Sequence, residues 1–215
     1  MLYYATTKGK LIHTLATARN ANGEDFPWEM PDELCGGAAC PGPIWELCPT
    51  AFAFHPSKRE RNPYLALRAA YEEDDPPCPW IIKPSDGTKG QGIRIAGSWR
   101  QIEGQLRAMS SAVACGENIP TWVVQRYLPN PLLLRRGSRK FDLRCWAALD
   151  PAYNVYLYGQ GVLRTSAVAY DPNDLQNTYS HLTNHCIAAT HEDYGMYEET
   201  NELFYAAFDA ELGQR

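Results

Sequence analysis

Charged residues alternate along the stretch RKFDLRCWAAL, in which Lys140, Asp142 and Arg144 are separated by single apolar residues. Successive side chains of a β-strand point to opposite faces, so these three charges would share one face. Lysine and arginine neutralise phosphate oxygens and a carboxylate orients a metal cation, so the pattern suits a nucleotide-phosphate site. An exposed strand face with cross-strand ion pairs is the alternative. The apolar residues 146–149 favour the first interpretation, because they predict a strand that enters the interior.

A second candidate is the glycine-rich stretch WIIKPSDGTKGQGIRI, residues 80–95. It is not a Walker loop, which leads into a helix, and it is not a dinucleotide fingerprint, because Ile95 stands where the third glycine belongs. We interpret it as a hairpin whose tip, with Lys89, Gly90 and Gly92, could close over phosphates together with Lys83. A plain surface hairpin is the alternative that this stretch alone favours.

The run VVQRYLP suggests a site for adenine. Its aromatic and apolar residues Tyr127 and Leu128 follow a predicted strand at the junction of two lobes, where ligand sites often form, and adenine could lie between them. A buried strand that leads into an ordinary loop is the alternative.

Two later motifs add polar candidates. Arg164 ends the predicted strand GVLRT, and Thr183 and Asn184 lie between two histidines in SHLTNH. Thr183 and Asn184 fit a site that contacts a substrate or an ion, and a capped turn would also explain them. The histidines, His181 and His185, have the spacing of a helical zinc pair, but with no suitable third ligand nearby we interpret them as loop-orienting residues.

The helices and strands that must position these residues can be predicted from the periodicity of apolar residues and from the residues that start or stop such elements. Ser98 followed by Gln101 has the form of a capping box, which indicates a helix start. Strands are predicted at 80–83, 92–96, 122–126, 141–149, 155–158 and 161–165, and helices at 8–19, 63–73, 98–112 and 198–212. Residues 21–49, rich in glycine and proline, are predicted to be irregular. This order of elements predicts an α+β protein with two lobes.

Composition excludes several classes of protein. With 45% hydrophobic and 21% charged residues the chain is typical of globular proteins, and its net charge of -5 argues against a general nucleic-acid binder. Seven scattered cysteines, none in a C-x-x-C pair, indicate a reducing, cytosolic compartment. No run approaches membrane-spanning length.

With these motifs in this order, the chain resembles the tubulin-tyrosine ligase family of ATP-grasp ligases. The matching strings are WIIKPSDGTKGQGI, VVQRYLPNPLLL, RKFDLRCWAALD, YNVYLYGQGVLRTS, SHLTNHCI and YGMYEETNELF. The resemblance implies a two-lobed α+β fold of the ATP-grasp type, incomplete at both ends. It would comprise an irregular N-terminal remnant and linker at 1–50, a central lobe at 51–126 and a C-terminal lobe at 127–215.

The resemblance also implies an activity. An ATP-dependent ligase of this kind would activate the C-terminal carboxylate of detyrosinated α-tubulin as an acyl phosphate, which the amino group of free tyrosine then attacks. Glutamate or glycine addition, as in other members of the family, and a silent fragment that only binds tubulin are the alternatives. The expected partners are the α-tubulin tail or tubulin dimer and free tyrosine, with no nucleic acid and no membrane. We expect a cytoplasmic, cytoskeleton-associated monomer.

Finally, the resemblance assigns residue roles. Lys83 and Lys140, with the lid residues Lys89, Gly90 and Gly92, would contact the nucleotide phosphates, and Gln125, Tyr127 and Leu128 would contact the adenine. Asp142 would support the nucleotide and metal region. Arg144 and Arg164 would make catalytic and substrate contacts, and Thr183 and Asn184 would make further substrate contacts. Magnesium is an expected cofactor, but its ligands would lie beyond Arg215, so no metal ligand is predicted here. A basic cluster of Arg135, Arg136, Arg139 and Lys140 would attract the acidic tail.

Overall fold

A computed structural model of the chain describes residues 49–55, 61–152 and 154–208. The chain divides into two compact units: unit 1 comprises Met1–Gly87 and Gly92–Pro129, and unit 2 comprises Thr88–Gln91 and Asn130–Arg215. The helix predicted at 8–19 and nearly all of the irregular stretch at 21–49 lie outside the described residues. The lobe boundaries at 50/51 and 126/127 stay predictions.

Unit 1 contains a four-stranded antiparallel sheet with the strand order β1-β4-β2-β3. Its strands are β1 (Ala51–Phe54), β2 (Trp80–Pro84), β3 (Arg94–Ala96) and β4 (Trp122–Arg126). The strands predicted at 80–83 and 122–126 are confirmed, and the one predicted at 92–96 begins two residues later. The glycine-rich stretch is therefore a β-hairpin, as predicted.

Two helices accompany this sheet, α1 (Arg61–Glu72) and α2 (Trp99–Ala114). The capping box is confirmed, because the side chain of Ser98 accepts a hydrogen bond from the Gln101 amide at 3.4 Å. The Gln101 side chain in turn accepts one from the amide of Gly97 at 2.8 Å. The Gln101 amide, which the first helical turn would leave unpaired, thus finds an acceptor, and so does the amide of Gly97 just before the N-cap residue.

The core of unit 1 lies between the helices and one face of the sheet. Ile102, Leu106 and Met109, spaced three or four residues apart, form the buried stripe of α2. They belong to one apolar cluster with Leu67 of α1 and Trp80 of β2. This packing holds the hairpin strands β2 and β3 in place.

Unit 2 contains a second antiparallel sheet with the strand order β10-β9-β6-β5. Its strands are β5 (Leu133–Leu134), β6 (Arg139–Arg144), β9 (Val162–Thr165) and β10 (Glu202–Phe204). A separate hairpin pairs β7 (Ala147–Leu149) with β8 (Val155–Leu157). Two one-turn helices, α3 (Thr178–His181) and α4 (His185–Ala188), follow β9, and residues 205–208 are helical.

The helix predicted at 198–212 is wrong at its start, because Glu202–Phe204 is a strand. There Leu203 lies opposite Leu163 of β9. Strand pairing with a partner about forty residues earlier in the chain outweighs the local helical pattern. Residues 209–212 of that prediction lie outside the described residues.

The single strand predicted at 141–149 is also wrong, since residues 145 and 146 separate β6 from β7. Arg144 pairs with Val162, the first residue of β9, so the ladder has no further partner strand beyond it. The expectation that this segment enters the interior fails as well. The side chain of Trp146 is 49% exposed, and every residue of β7 and β8 is exposed.

Among residues 49–55, 61–152 and 154–208, no helix combines the length and the apolar character that crossing a membrane requires. Among the cysteines in these ranges, Cys78, Cys115, Cys145 and Cys186, none forms a disulfide.

Candidate functional site

Strands β6 and β9 and the segment just before α4 bring together three of the predicted site residues. Their register places Asp142 directly opposite Arg164. Arg164 donates from Nε to Oδ1 of Asp142 at 3.0 Å and from Nη2 to Oδ2 at 2.8 Å, and the Thr183 hydroxyl also donates to Oδ2. This two-point contact fixes the plane of the guanidinium. A guanidinium has five N–H donors and Asp142 takes two, so Arg164 can also donate to a phosphate or carboxylate oxygen.

Lys140 lies two residues before Asp142 on the same strand, and therefore on the same face of β6. Burial lowers the pKa of Lys140 from 10.5 to about 8, although the nearby Asp142 carboxylate acts in the opposite direction. Its Nζ lies 5.9 Å from the centre of the Tyr170 ring. Removal from water disfavours the charged ammonium, so an anionic oxygen placed beside it would be bound favourably. This environment fits the predicted phosphate contact.

In unit 1, Lys83 of β2 and Gln125 of β4 contact each other. The Lys83 Nζ donates to Oε1 of Gln125 at 2.5 Å, and Nε2 of Gln125 donates to the carbonyl oxygen of Pro49 at 3.2 Å. The two bonds fix the orientation of the Gln125 amide. This pair thus presents one ammonium and one oriented amide on adjacent strands.

The other two predicted adenine contacts differ in exposure. Tyr127 is 4% exposed, its amide donates to the carbonyl oxygen of Pro79 at 2.8 Å, and its own carbonyl oxygen accepts from the Cys78 thiol at 3.2 Å. Leu128 is 60% exposed. Only Leu128 therefore offers a surface side chain, and the adenine role of the two residues stays a prediction.

The tip of the glycine-rich hairpin, residues 88–91, belongs to unit 2. Lys89 and Gly90 both have positive φ, at 57° and 79°. An ideal Cβ on Gly90 would lie 2.9 Å from Oδ1 of Asn184. Two predicted residues, Gly90 and Asn184, are thus neighbours, whereas Gly92 belongs to unit 1.

Two predicted basic residues lie elsewhere. Arg144 is exposed at the end of β6 and, among the described residues, takes no part in the cluster around Asp142. The prediction that Arg139 helps to attract an acidic tail is wrong, because its side chain is fully buried and paired with Glu198. A cation neutralised in the interior contributes little to the surface field. Arg135 and Arg136 are exposed.

A buried polar network behind the site was missed from the sequence. Arg139 donates to the two carboxylate oxygens of Glu198 at 2.5 and 2.7 Å and to the Thr165 hydroxyl at 2.9 Å. The Asn201 side chain donates to the carbonyl oxygen of Ser166 at 3.2 Å. Arg139 and Glu198 are separated by 59 residues, so no local signal could have joined them.

His181 fits the role of a residue that orients a loop. His181 is buried, and its Nε2 lies 3.0 Å from the carbonyl oxygen of Asp174. Burial lowers the pKa of His181. Within the part of the chain that the structure describes, no three His, Cys, Asp or Glu side chains are grouped so that they could hold a metal ion.

Comparison with known proteins finds one matching family and several similar proteins. The model of the Tubulin-tyrosine ligase family matches residues 4–211. Tubulin glycylase 3C of Tetrahymena thermophila is 32% identical over 111 residues, which are 51% of this chain and 9% of that protein. Tubulin polyglutamylase TTLL5 of Homo sapiens is 33% identical over 121 residues, 54% of this chain and 8% of that protein. The matched segment thus spans less than a tenth of either relative.

Proposed function

Because this chain belongs to the tubulin-tyrosine ligase family, we propose that it carries the nucleotide-binding part of an ATP-dependent ligase that joins an amino acid to a carboxylate of tubulin. The observation that supports this most is the β6–β9 cluster. Asp142, Arg164 and Thr183 are linked by hydrogen bonds there, and the largely buried Lys140 lies on the same strand face.

When bound, ATP would supply the phosphoryl group that converts the acceptor carboxylate into an acyl phosphate. Lys140 would bind a phosphate oxygen, since its ammonium is poorly hydrated. Arg164 would bind a phosphate or carboxylate oxygen in an orientation that Asp142 sets. Thr183 would hold Asp142 in place through its hydroxyl. In unit 1, Lys83 would offer an ammonium to an anionic oxygen beside the oriented amide of Gln125.

The described residues do not by themselves form a magnesium site. Magnesium needs near-octahedral oxygen ligands, and no group of three acidic or histidine side chains is present among them. Asp142, the one carboxylate of the cluster, already accepts bonds from Arg164 and Thr183.

The amino acid that is added is a separate question. Tyrosine is the donor that the sequence predicts, from the stretch YNVYLYGQGVLRTS and the acidic-aromatic run after Tyr194. The two relatives are named for glycylation and polyglutamylation, so glycine and glutamate are the second candidates. We propose tyrosine as the first donor to test.

The experiment incubates the chain with detyrosinated tubulin, MgATP and radiolabelled tyrosine, glutamate or glycine in parallel. Incorporation should require ATP and should fall by roughly 100-fold in Arg164→Ala, as when one charge-stabilising donor is removed. Arg164→Lys should recover only part of it, because an ammonium cannot bind an oxygen pair bidentately. Arg107→Ala, which changes an exposed arginine of α2, is the control.

Each outcome decides between the candidates. Incorporation of glutamate or glycine in place of tyrosine would reassign the donor and keep the ligase. MgATP binding without incorporation of any of the three would leave the silent, tubulin-binding alternative. Full activity of Arg164→Ala would contradict the role given to the cluster.

A further inference from the structure

We propose that Ile187 is a positioning residue for the phosphate-binding turn: with Asn184 it forms a seat that holds residues 88–91, and Gly90 is the residue that fits this seat. The inference rests on the proposed nucleotide site, and it adds a residue to which neither the sequence nor the comparisons give a role.

The fit at Gly90 is close. A Cβ added there would overlap Cδ1 of Ile187 and would lie 2.9 Å from Oδ1 and 3.2 Å from Cγ of Asn184. Tight packing of this kind leaves no room for any side chain at position 90. The backbone of the turn therefore lies directly against these two side chains.

The seat itself is held by the one-turn helix α4. Asn184 is its N-cap residue, and its carbonyl oxygen accepts from the amides of Ile187 at 2.8 Å and Ala188 at 3.1 Å. Asn184 and Ile187 are three residues apart and so lie on the same side of the turn. Ala188 is buried and anchors the helix in unit 2.

The seat continues directly into the Asp142 cluster. Thr183, which donates to the Asp142 carboxylate, is the residue before Asn184. Holding Gly90 on Asn184 therefore keeps the turn next to the chain segment that completes the cluster. Because Lys89 precedes Gly90, the seat also fixes where the Lys89 side chain leaves the backbone.

The conformation of the turn indicates that it is constrained. Lys89 has a φ of 57°, which is uncommon for a residue other than glycine, and Gly90 has a φ of 79°. The amide of Gln91 donates to the carbonyl oxygen of Thr88 at 3.0 Å and closes the turn. Two successive left-handed residues are held in place by this bond and by the seat.

Loss of the seat should weaken nucleotide binding, by a factor that depends on the fraction of molecules in which the turn is seated. If only the seated turn binds phosphate, the apparent Kd equals the intrinsic Kd divided by the seated fraction. A variant that lowers this fraction from near one to about a tenth would weaken MgATP binding about tenfold.

Four variants of the full chain test this. Gly90→Ala fills the seat, Ile187→Val removes only the contacting Cδ1, and the double variant combines the two. The matched control is Gly92→Ala, because Gly92 also has a positive φ, at 73°, but an added Cβ would meet Pro84 and Trp122 at ordinary distances of 3.4 and 3.5 Å. The two alanine variants share the backbone strain and differ in the seat.

Two measurements are made on each variant. Hydrogen exchange of amides 88–91 without nucleotide reports the seat, and calorimetric titration with MgATP reports the Kd. Gly90→Ala should speed exchange and raise the Kd, each about tenfold more than Gly92→Ala does. Ile187→Val alone should speed exchange about two- to threefold. The double variant keeps the backbone strain that both alanine variants share and loses the overlap with Cδ1, so it should return to within about threefold of Gly92→Ala in both.

The failures of the two proposals can be told apart. Equal exchange in the two alanine variants, or no rescue in the double variant, overturns the seat whatever ATP does. Tighter MgATP binding by Gly90→Ala overturns the positioning role, since it would mean that the seated turn blocks the nucleotide. The expected exchange pattern in a chain that binds no MgATP keeps the seat and overturns the proposed function together with the positioning role.

Discussion

The buried ion pair of unit 2 allows a quantitative prediction of stability. The side chain of Arg139 is 0% exposed and that of Glu198 is 8% exposed, and two hydrogen bonds join them. Glu198→Gln keeps the shape and one acceptor oxygen but removes the counter-charge. The variant therefore leaves an uncompensated cation in the interior.

The size of the effect follows from what remains around Arg139. Breaking a buried pair by removal of one partner costs about 3–5 kcal/mol. Arg139 keeps its bonds to the Thr165 hydroxyl at 2.9 Å and to the Arg136 carbonyl oxygen at 3.3 Å, and its Cζ lies 4.1 Å from the centre of the Tyr197 ring. These contacts offset part of the loss, so we expect a decrease of about 3 kcal/mol in the free energy of unfolding.

Urea denaturation followed by circular dichroism measures this decrease. Glu199→Gln is the matched control, because it makes the same charge change at the adjacent, exposed residue and should stay within about 0.5 kcal/mol. The double variant Arg139→Met/Glu198→Leu should recover most of the loss, since apolar replacement of a whole buried pair is often neutral. A Glu198→Gln chain as stable as Glu199→Gln, or a double variant no better than Glu198→Gln, would refute the reasoning.

Two further predictions concern pH and helix capping. Because the pKa of Lys140 is about 8, its charge is lost as the pH rises through 8, and MgATP affinity should then fall by up to about tenfold per pH unit. Calorimetry between about pH 7 and pH 9.5 measures this slope, and Lys140→Gln should abolish it. The unfolded chain keeps this proton up to the ordinary lysine pKa of 10.5, so stability should increase between about pH 8 and that value; a decrease there would contradict the assignment. Ser98→Ala should lower the free energy of unfolding by about 1 kcal/mol in urea denaturation, whereas Ser110→Ala, within α2, should leave it nearly unchanged.

Most elements of unit 1, though not the strand β1, could be predicted because their signals are local. The Ser98 cap, the apolar spacing of α2 and the turn residues of the β2–β3 hairpin each lie within a few residues of the element that they define. The strands β2 and β4 were predicted to within one residue for the same reason. Local and tertiary preferences agree in these elements.

Unit 2 depends on contacts between distant residues, and there the predictions were less complete. Alternation along β6 indicated that Lys140, Asp142 and Arg144 share a face, but the register that places Asp142 opposite Arg164 is set by pairing across 22 residues. The alternation of side chains along a strand does not show which face is buried, so Arg139 was predicted to be a surface charge, whereas it is buried. The strand Glu202–Phe204 has a helical pattern and becomes a strand only because β9 offers it a partner.

The charges of the β6 face explain which residue should govern anion binding. Lys140 and Arg164 are cations and Asp142 is the carboxylate near both of them. Asp142 is bound at both oxygens by Arg164 and Thr183, so most of its attraction goes to the guanidinium. The pKa of Lys140 is lowered, because the effect of its burial is larger than the effect of its remaining attraction to the Asp142 carboxylate. A bound phosphate should therefore gain most from Lys140 and should raise its pKa, while Arg164 mainly fixes orientation.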